Sequence, residues 1–163
     1  MKYKYGMMID TTNLTWDLEL VVPGNPKALK RHRSYQKGKF IGQYDPSQND
    51  KADFLALAMK NRPNLPYDKA LLVEYIFKFS RPKNHYRTGA NQHLLKESAP
   101  YYHSSAPDVD NLEKFVNDAL NGVYWKDDRI ISETHVVKKY SNFPAITIRI
   151  KVLPVTEQID ILN

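Results

Sequence analysis

Two pairs of aspartates lie in one stretch of this chain: Asp108 with Asp110, and Asp127 with Asp128. Grouped carboxylates suit the hydrolysis of a phosphodiester. That substrate is anionic and repels hydroxide, so its cleavage needs positive charge at the reacting phosphate. Magnesium prefers carboxylate and water oxygens in octahedral geometry. Two or three carboxylates can hold one or two such ions, which polarise the phosphoryl oxygen, activate water and steady the leaving oxygen. Lys114, four residues after Asp110, falls one turn further along the same helix face and could contact the phosphate or the leaving oxygen. A purely structural reading competes with this one. Asp110 followed by Glu113 matches a helix capping box. Residues 105–108, with Pro107, form another helix-start signal. Asp127-Asp128 before Arg129 could be an ordinary turn.

The elements that must position these carboxylates are legible from hydrophobic spacing. Leu112, Phe115, Val116, Ala119 and Leu120 form one apolar stripe and predict a helix over 111–121, closed by Asn121-Gly122. Asp108 and Asp110 flank its start, while Asp127 and Asp128 lie past its end. Eleven helical residues span roughly 16 Å. The two pairs therefore converge only if residues 122–126 fold back alongside the helix. Strands are expected over 16–22, 69–79, 129–138 and 145–153, the last two forming a hairpin through Ser141-Asn142-Phe143-Pro144. A first helix is expected over 49–61, where Ala52, Leu55, Ala56 and Met59 recur at helical spacing. Residues 23–47 and 80–106 read as loops, the second long enough to suggest a function. Residues 1–15 read as a loose leader and 154–163 as a frayed tail. The expected fold is one α+β domain spanning 1–163, with its core in 16–153: a small mixed β-sheet with helices packed on it, in the order strand, helix, strand, helix, strand, strand.

Composition narrows the classes. The chain has 163 residues, and its net charge of +6 favours polyanionic partners. It has no cysteine, which excludes disulfides, thiolate metal sites and cysteine nucleophiles. No apolar run approaches the ~18 residues of a membrane span, and residues 1–14 are too polar for a secretion signal. An intracellular, cytoplasmic protein without a membrane partner is the expectation. No histidine pair has zinc-site spacing, so no histidine is assigned a catalytic role. His135 reads as a packed or edge residue, and Tyr124 and Trp125 as buried packing for the turn after the second helix.

The run PDVDNLEKFVNDALNGVYWKDDRIISETHVVK resembles the core motif of the RusA family of Holliday junction resolvases. The resemblance rests on Pro107, Asp108, Asp110, Asn111, Leu112, Lys114, Asp118, Ala119, Leu120, Gly122, Val123, Asp127, Asp128 and Lys138. Val22-Pro23-Gly24, the basic residues after it, and Tyr44-Asp45-Pro46 are similar to the family's N-terminal part. The resemblance covers roughly 16–153. It implies a magnesium-dependent endonuclease, with manganese as a substitute ion, that resolves four-way DNA junctions as a symmetric homodimer in recombination and repair. It implies Asp108, Asp110 and Asp128 as metal ligands and Lys114 as a transition-state or phosphate contact, with Asp127 a lower-ranked neighbour.

Around that motif, Lys27, Lys30, Arg31, His32 and Arg33 form the densest basic cluster, which Lys37 and Lys39 extend. Such a cluster could position DNA through its phosphates without reading sequence. Arg81, Lys83 and Arg87, with His85 and Tyr86, form a second cluster, in which Tyr86 could stack on an exposed base. Lys138 joins the candidate DNA contacts. Two rival functions remain at this level: a non-cleaving module for branched or single-stranded nucleic acid, and a nuclease of flaps or other branches.

Overall fold

The computed structural model describes residues 14–155. Most of the expected leader and tail, residues 1–13 and 156–163, lies outside them. Six strands and two helices form in the order β1 (Leu18–Pro23), β2 (Arg33–Lys37), β3 (Phe40–Tyr44), α1 (Gln48–Ala58), β4 (Leu71–Ser80), α2 (Val109–Leu120), β5 (Ile131–Ser141) and β6 (Ala145–Val152). Four strands make one mixed sheet in the order β1-β6-β4-β5, with β4 and β5 parallel and the other pairs antiparallel. The expected α+β class and mixed sheet are therefore present.

One face of this sheet is the core. Leu20 and Val22 of β1, Ile146, Ile148 and Ile150 of β6, and Val73, Tyr75, Phe77 and Phe79 of β4 lie on it. These positions alternate along each strand because successive side chains point to opposite faces. α2 packs its stripe of Leu112, Phe115, Val116, Ala119 and Leu120 against them. Burying five such side chains contributes on the order of 1.5–3 kcal/mol for each large one. α1 buries less, through Phe54 and Ala58, and meets α2 where the Phe54 and Phe115 rings pack edge to face at 5.7 Å.

The opposite face carries a row of charge across all four strands. Glu19, Arg149, Glu74 and His135 are directly opposed in register. Arg149 Nε donates to Glu19, and its Nη1 donates to Glu74 at 3.0 Å. His135 Nδ1 lies 2.8 Å from Glu74 Oε1 and donates when that nitrogen carries the proton. His135 thus sits on an edge strand, in line with expectation. The Glu74 carboxylate is almost fully buried, and paired partners on both sides make that burial tolerable.

Two sequence expectations are corrected. β5 and β6 are not a hairpin. β4 lies between them, so residues 142–144 cross two strand spacings, about 10 Å. The reason is the parallel β4–α2–β5 crossover, which places β5 on the outer edge and leaves β6 to pair between β1 and β4. The basic stretch 23–47, expected as a loop, holds the separate β2–β3 hairpin, turned by Gly38 at φ +64.

Candidate active site

The first turn of α2 is positioned from two sides, by β5 and by the basic segment before β2. Asp108 is the N-cap residue in extended conformation, yet its side chain makes no capping hydrogen bond. Glu113 makes no capping bond back to that turn either; it faces Thr134 of β5. The capping box that competes for these residues in the sequence is not formed. The backbone just before Asp108 is held by Lys138 of β5, whose Nζ donates to the carbonyls of Ser105 at 2.7 Å and Pro107 at 2.6 Å. On the other side, the Leu29 amide donates to the Asn111 carbonyl at 3.0 Å, which fastens the basic segment to the same turn. Asp110 is exposed and meets Lys114 one turn on, at 3.4 Å.

The turn after α2 does fold back. Gly122, at φ +77, donates to the Trp125 carbonyl, and the Tyr124 amide donates to Leu120. Tyr124 and Trp125 are fully buried, as their size leads one to expect. The Tyr124 hydroxyl donates to the Ala58 carbonyl at 2.6 Å, and burial pushes its pKa up to about 12. Residues 128–130 then form a single 3-10 turn, capped by Asp127, which accepts from the Arg129 amide at 3.0 Å. Asp127 therefore has a structural task, and exposed Asp128 stands beside it.

Where Asp128 arrives is read from Tyr75. The Tyr75 hydroxyl donates to Asn117 at 2.6 Å. Its pKa is raised well above the usual phenol value, first by burial, then by Glu113 and also by Asp128. Asp128 thus comes back to the side of α2 on which Glu113 and Tyr75 lie. Among the described residues, no three His, Cys, Asp or Glu side chains come close enough to hold one ion together.

Glu113 is a site residue whose environment sequence reasoning missed. It is half-buried one turn beyond Asp110 on α2, and burial raises its pKa, with Asp110 adding to the effect. The only signal was its position, three residues after Asp110 on one helix face.

The basic residues divide into two kinds. Lys27 and Lys30 both pair with Asp50 of α1, at 2.6 and 2.8 Å. Arg31 and Arg33 make no ion pair among the described residues. Lys51 joins Asp45 and Asp118, so Asp118 of the motif links α1 to α2. In the 80–106 segment, Arg81 donates to the Pro100 carbonyl and lies over the Tyr140 ring. Arg87 faces Leu95 and Glu97, and Lys83 lines an open hollow with Tyr86 and Arg87. Residues 101–103 bridge to the outer edge of β5, where His103 stacks on Phe79 at 4.0 Å. Burial lowers the His103 pKa, and the charge of Lys138 lowers it further.

The architecture is a mixed sheet with an acidic helix start whose backbone a lysine of β5 holds, an acidic turn after that helix, and basic segments beside it. The endodeoxyribonuclease RusA family matches residues 23–151, and this chain belongs to that family. The uncharacterized protein YqaN of Bacillus subtilis (strain 168) is 28% identical over 139 residues, which cover 82% of this chain and 95% of that protein. No helix among the described residues is long and apolar enough to cross a membrane.

Proposed function

We propose that this chain is a magnesium-dependent endonuclease selective for branched DNA, nicking four-way junctions as a homodimer in recombination and repair. The observation that supports this most is the start of α2. There the helix leaves the N-cap carboxylate of Asp108 without a capping bond, while Lys138 holds the backbone that carries it. Asp108, Asp110 and Asp128 are the proposed ligands. Their donors are all carboxylate oxygens, the chemistry that magnesium, or manganese in its place, prefers. Magnesium keeps several water ligands and takes substrate phosphate oxygens as well, so the three carboxylates need not form a closed cage before DNA binds. When bound there, the ion supplies polarisation of the phosphate and activation of the attacking water.

The chain's own groups do the rest. The contact between exposed Lys114 and Asp110 is weak enough to break at little cost. The Lys114 ammonium can then meet the scissile phosphate or the leaving oxygen. Lys138 has one N–H left for DNA after serving two carbonyls. Arg31 and Arg33 contact phosphates and set orientation, with Lys27 and Lys30 joining them beside Asp50. Arg81, Lys83 and Arg87 form a second, peripheral set. Two copies related by a two-fold axis would nick paired strands of one junction. Such a protein works where the DNA is, in the cytoplasm of a bacterial or phage-infected cell.

The test uses purified protein with a labelled four-way junction, a flap and a linear duplex, in magnesium and in chelator, beside Asp110→Asn. The expected result is magnesium-dependent nicking of the junction that the substitution abolishes. Junction binding without nicking would leave a non-cleaving binding module. Preference for the flap would reassign the substrate, and equal cutting of all three would remove structure selectivity.

A further inference from the structure

We propose that the β2–β3 hairpin is the part of the molecule that senses the branch, by stacking nucleobases left unpaired there on a row of three aromatic rings. This rests on the reading of the chain as a nuclease of branched DNA. Directly opposed residues of an antiparallel pair share a face. The register therefore puts Arg33, Tyr35 and Lys37 on one face with Tyr44, Gly42 and Phe40. Tyr35 lies centrally on that face, with its ring 6.5 Å from Phe40 and 6.4 Å from Tyr44. Gly42 makes this row possible: a Cβ there would stand 2.6 Å from Cζ of the Tyr35 ring. The cations Lys37 and Arg33 sit at the two ends, opposite Phe40 and Tyr44.

All three rings are exposed, Phe40 by 63% and Tyr35 and Tyr44 by nearly half. A two-stranded hairpin gains little by displaying such a surface to water, since it is at best marginally stable alone. Charge identifies what covers it. Residues 24–44 hold six lysines and arginines and no aspartate or glutamate. A second copy of the same hairpin would be repelled, whereas a strand carrying phosphates at every step and flat bases between them is complementary. Aromatic faces interleaved with cations are how proteins hold unpaired nucleic acid, and every base has a π-face to offer. Duplex DNA keeps its bases stacked internally and has none to give, so the row favours branched over linear DNA.

The hairpin is also tied to the carboxylates. The segment leading into it is fixed by the Leu29–Asn111 hydrogen bond and by the Lys30 amide on Ser47 Oγ at 2.8 Å. Five residues of strand reach about 17 Å from that root. That is a few nucleotides from a phosphate held at the start of α2.

The test compares wild type with Tyr35→Leu/Phe40→Leu, which keeps apolar cover but removes two π-faces, and with the single Phe40→Ala, whose exposed site leaves folding intact. Binding to a four-way junction, a single-stranded 16-mer of thymidine and a linear duplex is measured in chelator by fluorescence anisotropy. A 2-aminopurine at the branch point reports stacking. The expected result is a loss of tenfold or more for junction and single strand in the double variant, a smaller loss in Phe40→Ala, and duplex binding within twofold. The 2-aminopurine change seen with wild type should disappear. Unchanged junction and single-strand affinity would overturn the proposal while leaving the nuclease reading intact. Equal losses on all three DNAs would reduce the hairpin to a phosphate contact and overturn it as well. A variant that sediments as a smaller species than wild type would make the row an interface between copies, again against the proposal. Wild type that never nicks DNA in magnesium, with the binding losses still present, would sink the nuclease reading and keep the hairpin.

Discussion

The turn after α2 and the β2–β3 hairpin are built on opposite plans. The turn buries Tyr124 and Trp125 completely and fastens itself to the end of α1 and to Tyr67 by hydrogen bonds. The hairpin exposes every residue except Gly42, which is only partly covered. The first region sets where Asp128 emerges, and the second contributes almost nothing to the core. The difference teaches where precision is needed: carboxylates have to be held in place, while a surface that captures a branched polyanion gains from standing clear of the body.

That contrast can be broken or sharpened by substitution. The largest effect is expected from Asp110→Asn, which should slow single-turnover nicking in magnesium by about 10²-fold or more while junction binding persists. Trp125→Ala removes a fully buried ring and should cost about 3–5 kcal/mol in urea unfolding. A loss under 1 kcal/mol would erase the distinction between the two regions. Lys138→Met leaves the carbonyls of Ser105 and Pro107 without their donor and should cost about 1–2 kcal/mol of stability. Its nicking rate should fall further than its junction affinity, and an affinity loss alone would make Lys138 a simple DNA contact.

Acid should affect the root of the hairpin selectively. Hydrogen bonds from Lys27 and then Lys30 hold the Asp50 carboxyl below its ordinary pKa. A group depressed in the folded state contributes stability that is fully present above its unfolded pKa, near 4, and is lost as pH falls through the folded value. Lys27→Gln/Lys30→Gln should therefore flatten the fall in Tm of wild type below about pH 4, and an unchanged profile would show that Asp50 is not coupled to these lysines. The smallest effect is expected at the hairpin itself. Ile41→Ser, on the face away from the rings, should change unfolding free energy by no more than about 0.5 kcal/mol.

The sequence shows some of this plainly and hides the rest. α2 was legible because five apolar residues at helical spacing leave one solution for its buried face. β4 was legible as an apolar run, and its burial on both faces explains why the run is so continuous. The hairpin was not legible, because Arg33–Lys37 and Phe40–Tyr44 bury nothing and so carry no alternation imposed by a core. The neighbours of β5 and β6 were misread because closeness in sequence favours pairing, and only the crossover through α2 separates them. At the site, Asp108, Asp110 and Lys114 stand where helical spacing put them. Asp128 was harder to place, since its position depends on the packing of Trp125 and on a 3-10 turn that spacing does not encode.

The charged row across the sheet face opposite the helices has a consequence for assembly of the fold. β5 is the outer strand of the sheet, and its side chains are only partly covered, so its alignment along β4 depends on specific contacts. Sliding by two residues keeps the same faces inward. In one direction, however, it sets Glu133 against the buried Glu74 in place of His135, and in the other it offers Val137, which cannot bond a carboxylate. Only one alignment gives Glu74 a hydrogen-bonding partner on β5 as well as Arg149 on β6. Glu74 thus acts as a ruler for the edge strand. The same alignment carries Lys138 to the carbonyls before Asp108, so a charge on the far side of the sheet sets the height at which the acidic helix start is held.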